Sequence, residues 1–242
     1  LLLVSFSPAA AAAPGVPLEE LKYQVDVWWW PDAVRARLLL TRLGPGRYLA
    51  EISGEARGVL NFISGQRRDC FQTEMVFSQG RLRPVVYREE SRRKGKYRLK
   101  EYRFHYDQGR LELWQWHEGQ GLKLKWEAPL TETLYDPITA FYNYRLGVWG
   151  PLKEGETLKL SGIPYPRRED IEVRLGPETQ EGRQVTVSLL NRAFEDQKGL
   201  VLVMFNPQGV PTQAWTRVLV FGKITGQLLP GSKPLTEKLG EL

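Results

Sequence analysis

The chain has 242 residues, of which 42% are hydrophobic, 11% aromatic and 26% charged, with a formal net charge of +6. That balance excludes a mainly disordered chain, and the length suits one all-β domain of the kind that often runs to about 200–250 residues. The single cysteine, Cys70, excludes an intramolecular disulfide framework and a Cys-rich zinc site. With only His105 and His117, a three-histidine metal centre is excluded and a Ser-His-acid triad has two candidate bases.

The N-terminal run Leu1-Leu2-Leu3-Val4-Ser5-Phe6, followed by Ser7-Pro8 and alanines from Ala9 to Ala13, has the pattern of a secretory signal's apolar core and small-residue cleavage region. Residues 1–13 are therefore expected to be the remnant of a signal peptide, cut near Ala11 or Ala12, and the protein to be periplasmic or otherwise exported. No Cys follows the run, which argues against a lipoprotein anchor, and no later stretch reaches the roughly 18 apolar residues of a membrane helix. Residues 14–229 are expected to form a single β-rich domain, and the Gly/Pro/Lys/Glu-rich residues 230–242 a flexible tail.

Apolar and polar residues alternate along most of the chain, the period of half-buried strands. Leu122, Leu124 and Trp126 alternate with lysines; Ile171, Val173 and Leu175 with Glu172 and Arg174; Val185, Val187 and Leu189 with Thr186 and Ser188. Trp28-Trp29-Trp30 closes the first strand and, by alternation, places at least one indole on each face. Turn chemistry punctuates the runs at Gly44-Pro45-Gly46, Gln79-Gly80, Gln108-Gly109, Glu118-Gly119, Gly176-Pro177, Glu181-Gly182, Asn206-Pro207 and Gln208-Gly209. If Gln108-Gly109 is a two-residue turn, Asp107 faces Arg110, and Tyr106, Phe104 and Tyr102 oppose Leu111, Leu113 and Gln115. In that register Arg103 opposes Trp114, His105 opposes Glu112, and His117 opposes Lys100.

One segment has helical spacing. Asp136 suits an N-cap, Pro137 a first turn and Gly147 a C-terminus, while Ile138, Phe141, Tyr142 and Arg145 share one stripe. A shorter helical turn fits residues 59–63. The predicted fold is all-β and mainly antiparallel: a large curved sheet or half-open barrel of about a dozen strands wrapped around one short helix. Arg145, carried inward on the apolar stripe, needs an acidic partner or several carbonyl oxygens, because its charge cannot be removed by deprotonation.

Three stretches carry a family resemblance: Leu21-Lys22-Tyr23-Gln24-Val25; Tyr135-Asp136-Pro137-Ile138-Thr139-Ala140-Phe141-Tyr142-Asn143-Tyr144-Arg145; and Gly209-Val210-Pro211 with Phe221-Gly222-Lys223-Ile224-Thr225-Gly226-Gln227-Leu228. Together they resemble a bacterial family known as domain of unknown function 3108, found in exported proteins. The resemblance implies a β-rich exported domain without an established activity. The family usually carries an acidic residue before the last loop, where Asn206-Pro207 stands here. A half-barrel like those of periplasmic lipoprotein carriers is an analogy of architecture alone.

Between Arg81 and Arg103 lie ten Lys or Arg and three Glu, a net +7, so the remainder of the chain carries −1. Arg92, Arg93 and Lys94 at its turn are candidates for contact with an anionic surface such as lipid headgroups; the alternative is a solvated hairpin whose charges discourage edge pairing. Trp28, Trp30, Trp114, Trp116, Tyr142 and Arg145 are candidate ligand-binding residues, with core packing and a structural ion pair as the competing readings. Cys70 follows Arg67-Arg68-Asp69, a setting for either a lowered thiol pKa or a small buried residue. No nucleophile elbow, zinc-protease, P-loop or dinucleotide motif occurs. The sequence thus points to a non-enzymatic exported binding or carrier protein for an amphipathic or anionic envelope ligand, with no cofactor, no nucleic acid partner and no transmembrane span. The alternative is a structural adaptor for another envelope protein, and a hydrolase with an unrecognised site stands third. A walled apolar cavity would favour the carrier, and a filled interior with an exposed patch the adaptor.

Overall fold

A computed structural model of the chain describes residues 15–163, 170–189, 199–218, 222–237 and 239–240. Residues 1–13, expected to be a signal-peptide remnant, and Phe221 of the third family stretch lie outside the described residues. In chain order the elements are β1 (Val16–Val27), β2 (Trp30–Gly44), β3 (Arg47–Ala56), α1 (Gly58–Ile63), β4 (Arg68–Ser78), β5 (Arg81–Arg93), β6 (Lys96–His105), β7 (Arg110–His117) and β8 (Gly121–Pro129). They continue with α2 (Pro137–Arg145), β9 (Thr157–Leu160), β10 (Ile171–Thr179), β11 (Gly182–Leu189), β12 (Leu200–Phe205), β13 (Pro211–Val218) and β14 (Gly222–Leu228). The strands form one open sheet in the order β8-β7-β6-β5-β4-β3-β2-β1-β14-β13-β12-β11-β10-β9. Every strand neighbour is antiparallel, because each half is a meander of hairpins joined where β1 meets β14.

The all-β expectation is met, with fourteen strands among the described residues where the turn signals indicated about a dozen. Strand direction gives the sheet two ends. The upper end carries the Trp28-Trp29 turn, α1, and the β5–β6 and β7–β8 turns; the lower end carries the turns at Pro45-Gly46, Gln79-Gly80 and residues 106–109.

Helix α2 lies against the concave face of the sheet. Asp136 caps it by accepting from Ile138 N and Thr139 N, and its second oxygen accepts from the hydroxyls of Thr139 and Thr73 of β4. Burial holds the Asp136 pKa above the usual carboxylate range, although the Thr139, Thr73 and Ile138 bonds oppose it. Asn143 ties the last turn of α2 to the start of β5: its Nδ2 donates to Leu82 O, and its Oδ1 accepts from Leu82 N, both at 2.8 Å. Around the helix, Leu21, Leu40, Tyr48, Met75, Leu82, Leu111 and Leu113 are fully buried with Ile138 and Tyr142.

Four expectations need correction. The β6–β7 hairpin closes through four residues, Tyr106 to Gly109, so Phe104 pairs with Leu111, Arg103 with Glu112 and His105 with Arg110. The two-residue shift keeps the same faces together, which is why the alternation pattern gave the faces and not the partners. Gly176-Pro177 is not a turn but a bulge inside β10, where pairing with β11 skips from Leu175 to Glu178. In β8 a bulge between the Leu113–Trp126 and Trp114–Leu124 pairs sends Trp126 toward the core side and leaves Leu122 and Leu124 with Trp116 and Trp114 on the outer face. Lastly, the described part of 230–242 does not fray: Lys233 bridges Glu20, Leu235 N donates to Glu19, and Gly240 N donates to the Tyr48 hydroxyl. Leu239 is buried in the core, so apolar burial anchors a segment whose composition reads as loose.

Candidate functional site

The inward-facing valines of two strand groups approach each other above α2 without filling the space between them. The result is a cavity of about 390 Å³, within the roughly 300–1,000 Å³ range of small-molecule sites. Val25, Leu38 and Ile52 of β1–β3 form one wall, and Ile171, Val185 and Val203 of β10–β12 another. Helix α2 contributes Pro137, Ala140, Phe141 and Tyr144, with Phe205 stacked on Phe141. The lining is almost wholly aliphatic and aromatic; Tyr23, Arg37 and Gln213 bring the few polar groups. The Tyr23 hydroxyl already donates to Pro211 O at 2.9 Å, and Arg37 pairs with Glu20 at 2.7 Å. Short β-branched residues make good strand surfaces but do not reach across a wide sheet, and the helix covers only its lower part.

Tyr142 and Arg145 sit below this cavity in a buried cluster around Glu19. Arg145 Nη1 lies 2.7 Å from Glu19 Oε2, the Tyr142 hydroxyl donates to the same oxygen at 3.0 Å, and Leu235 N donates to Oε1 at 2.9 Å. Tyr142 and Glu19 are fully buried, and the Arg145 side chain is 8% exposed. Arg145 thus has the acidic partner its inward position requires. It also borders a second cavity of about 260 Å³, of mixed polar and apolar lining, with Trp149, Arg183 and Asn206. Asn206 Oδ1 accepts from Gln208 N and Val210 N, so the residue at the family's acidic position shapes the β12–β13 turn.

The sequence-predicted tryptophans are not gathered in one cleft, and none of them lines the 390 Å³ cavity. Trp28 and Trp29 form the β1–β2 turn and are exposed, while Trp30 opens β2 and packs on a small cluster around Val27, Ala33 and Leu60. The expectation of one indole on each face fails because two of the three belong to a turn. Trp114 is held on the outer face: its Nε1 donates to Glu112, and the Arg103 guanidinium lies 4.5 Å from its ring centre. Trp116 meets Tyr97 edge-on. Arg92, Arg93 and Lys94 are exposed at the β5–β6 turn, with Arg92 paired to Glu90 and lying over the Tyr97 ring.

Neither histidine is set up as a base in a cleft: His105 Nε2 lies 3.3 Å from Glu112 on the outer face, and His117 is exposed opposite Gly121. Burial, with Glu51 and Glu90 alongside, pushes the Cys70 thiol up to about 12, the opposite of a lowered pKa, and the residue is half-buried rather than buried. Among the described residues no group of three His, Cys, Asp or Glu is placed to hold a metal, and no helix is long and apolar enough to cross a membrane. What the sequence reading missed is the cavity. Its valines were legible as strand residues, but not the void between them.

The fold is similar to that of a solved structure, a beta-barrel-like protein of domain of unknown function DUF1849 from Brucella abortus. The TM-score is 0.54 at 11% identity, over 88% of this chain and 96% of that one. Comparison with curated proteins returns no match. The family model described as protein of unknown function (DUF3108) matches residues 22–189, the span from β1 through α2 to the end of β11. With well over half its length matched, the chain belongs to the DUF3108 family.

Proposed function

We propose that the protein is an exported, non-enzymatic carrier that holds the acyl part of an amphipathic envelope molecule in the cavity above α2. The observation that carries this reading is the cavity itself: about 390 Å³, walled by strands on two sides and by a helix, and lined by valines, phenylalanines and few polar groups. Such a lining offers an acyl chain removal from water at about 25 cal/mol per Å² and offers a reacting group no nucleophile or base. Export rests on the apolar and alanine-rich residues 1–13.

Native mass spectrometry of the protein purified without detergent tests the reading. It should show one acyl lipid per chain, lost in a Val203→Phe variant that fills the cavity. A ligand-free parent, or retention of the lipid by the variant, would refute it. The adaptor reading draws on β8, an edge strand whose Leu124 is exposed beside Trp116 and Trp114. It predicts co-purification with a protein partner that is lost on Leu124→Lys.

A further inference from the structure

We propose that the upper end of the sheet is a docking surface for an anionic lipid bilayer. Docking itself does not depend on the carrier reading; only the use made of it does, as the place where the cavity would be loaded and emptied.

The first observation is a pair of outward tryptophans. Trp28 and Trp29 are 57% and 62% exposed at the tip of the β1–β2 turn, their ring centres 3.5 Å apart. Trp28 has φ +56°, a left-handed conformation that turns normally assign to Gly or Asn. One edge of its ring covers Gly222, and most of its surface remains in water. Within the chain little is gained by two bulky indoles at such a turn. At a headgroup layer an indole has an apolar body to bury and an N–H for the polar side.

The second observation is charge. Arg93, Lys94, Lys96 and Arg98 are exposed around the β5–β6 turn and make no ion pair among the described residues. Beside them Tyr97 and Trp116, 36% and 37% exposed, again mix aromatic surface with cations.

The third observation is continuity. Arg57 N donates to Ala33 O, and its guanidinium reaches Asp32, joining α1 to the β1–β2 hairpin; Lys94 N donates to Gly65 O, joining the β5–β6 turn to the segment after α1. From β1 to β6 the end spans five strand spacings of about 4.8 Å, an arc of roughly 24 Å. Cations and indoles spread over such an arc match a planar, multiply charged surface better than a single bound anion. The cavity extends toward this end: Val25, Ile171, Val187 and Val201 of its lining belong to the upper halves of their strands.

The test is co-sedimentation of the full chain with vesicles of phosphatidylglycerol and phosphatidylethanolamine, against vesicles of phosphatidylcholine alone. The parent should sediment with the anionic vesicles and weaken as salt rises. Arg93→Glu/Lys94→Glu/Lys96→Glu should lower the affinity on the order of 100-fold or more, and Trp28→Asn/Trp29→Ser should remove the part that persists in high salt. Unchanged melting temperatures show that both variants are folded. Absence of sedimentation by the parent, equal binding to phosphatidylcholine, parent-like binding by both variants, or equally strong competition by soluble polyphosphate would each overturn the proposal. A chain that docks yet carries no acyl ligand refutes the carrier reading alone, whereas one that carries ligand but ignores vesicles refutes the docking alone.

Discussion

Glu19 accepts from Arg145, Tyr142 and the Leu235 backbone at once, so each oxygen of a fully buried carboxylate is satisfied. Removing the cation leaves that charge uncompensated, and Arg145→Met should destabilise the fold by about 3–5 kcal/mol in urea unfolding. The double variant Glu19→Gln/Arg145→Met should recover part of that loss; a single variant as stable as the parent would show that the pair contributes nothing. The inward position of Arg145 was readable from helical spacing, because Ile138, Phe141 and Tyr142 share its stripe. Its partner was not, since Glu19 lies 126 positions away and the sequence contains many carboxylates. Cys70 offers a second check at this scale. With its thiol pushed up to about 12, it should react with a disulfide reagent at pH 8 far more slowly in the folded chain than in urea, and equal rates would contradict its placement.

At the scale of elements, α2 is held by polar bonds at both ends and by apolar packing between them. Asn143 imitates a strand neighbour for Leu82, and Asn143→Ala leaves a buried N–H and C=O unpaired, each costing about 1–3 kcal/mol. A melting temperature unchanged by that substitution would mean that the helix is anchored elsewhere. On the outer face, Glu101 is buried beneath Arg88 and Arg103. Burial works against its charge, but the two guanidiniums outweigh it and hold the carboxyl below the usual range. A folded pKa below the unfolded one stabilises the fold above the ordinary Glu range, and that stability is lost as pH falls through the folded value. Glu101→Gln should therefore flatten the acid side of the stability–pH curve, with little change in its slope near neutrality.

Caps and alternation made α2 and most strands legible: Asp136, Pro137 and Gly147 bound the helix as their chemistry dictates. Bulges were not legible. An extra residue in β8 reverses which side of the strand faces in, so Leu124 and Trp126, both apolar and two apart, end on opposite faces. The β6–β7 turn failed for a related reason, since Gln108-Gly109 fits a two-residue turn and the end of a four-residue one equally well.

Among the described residues the molecule is a fourteen-strand antiparallel sheet that curls around α2, packs its lower half with aromatic residues and leucines, and leaves a cavity between its β1–β3 and β10–β12 walls. Period-2 alternation over so much of the chain already required a covered sheet, and the aromatic helix was the longer of the two helical candidates to cover it. Whether one helix could fill a sheet of that width depends on volumes and curvature, which no local pattern records. The hollow follows from that mismatch: valines line strands whose opposing walls are held apart by the sheet's own breadth. Filling it with Val203→Phe should leave the melting temperature unchanged or raised.

The most direct test of the cavity's role is calorimetric titration of the delipidated parent and its Val203→Phe variant with a long-chain fatty acid. The account predicts one site in the parent, with a negative heat-capacity change from apolar burial, and its loss in the folded variant. Titration without heat in the parent at several temperatures, or an undiminished site in the variant, would contradict it.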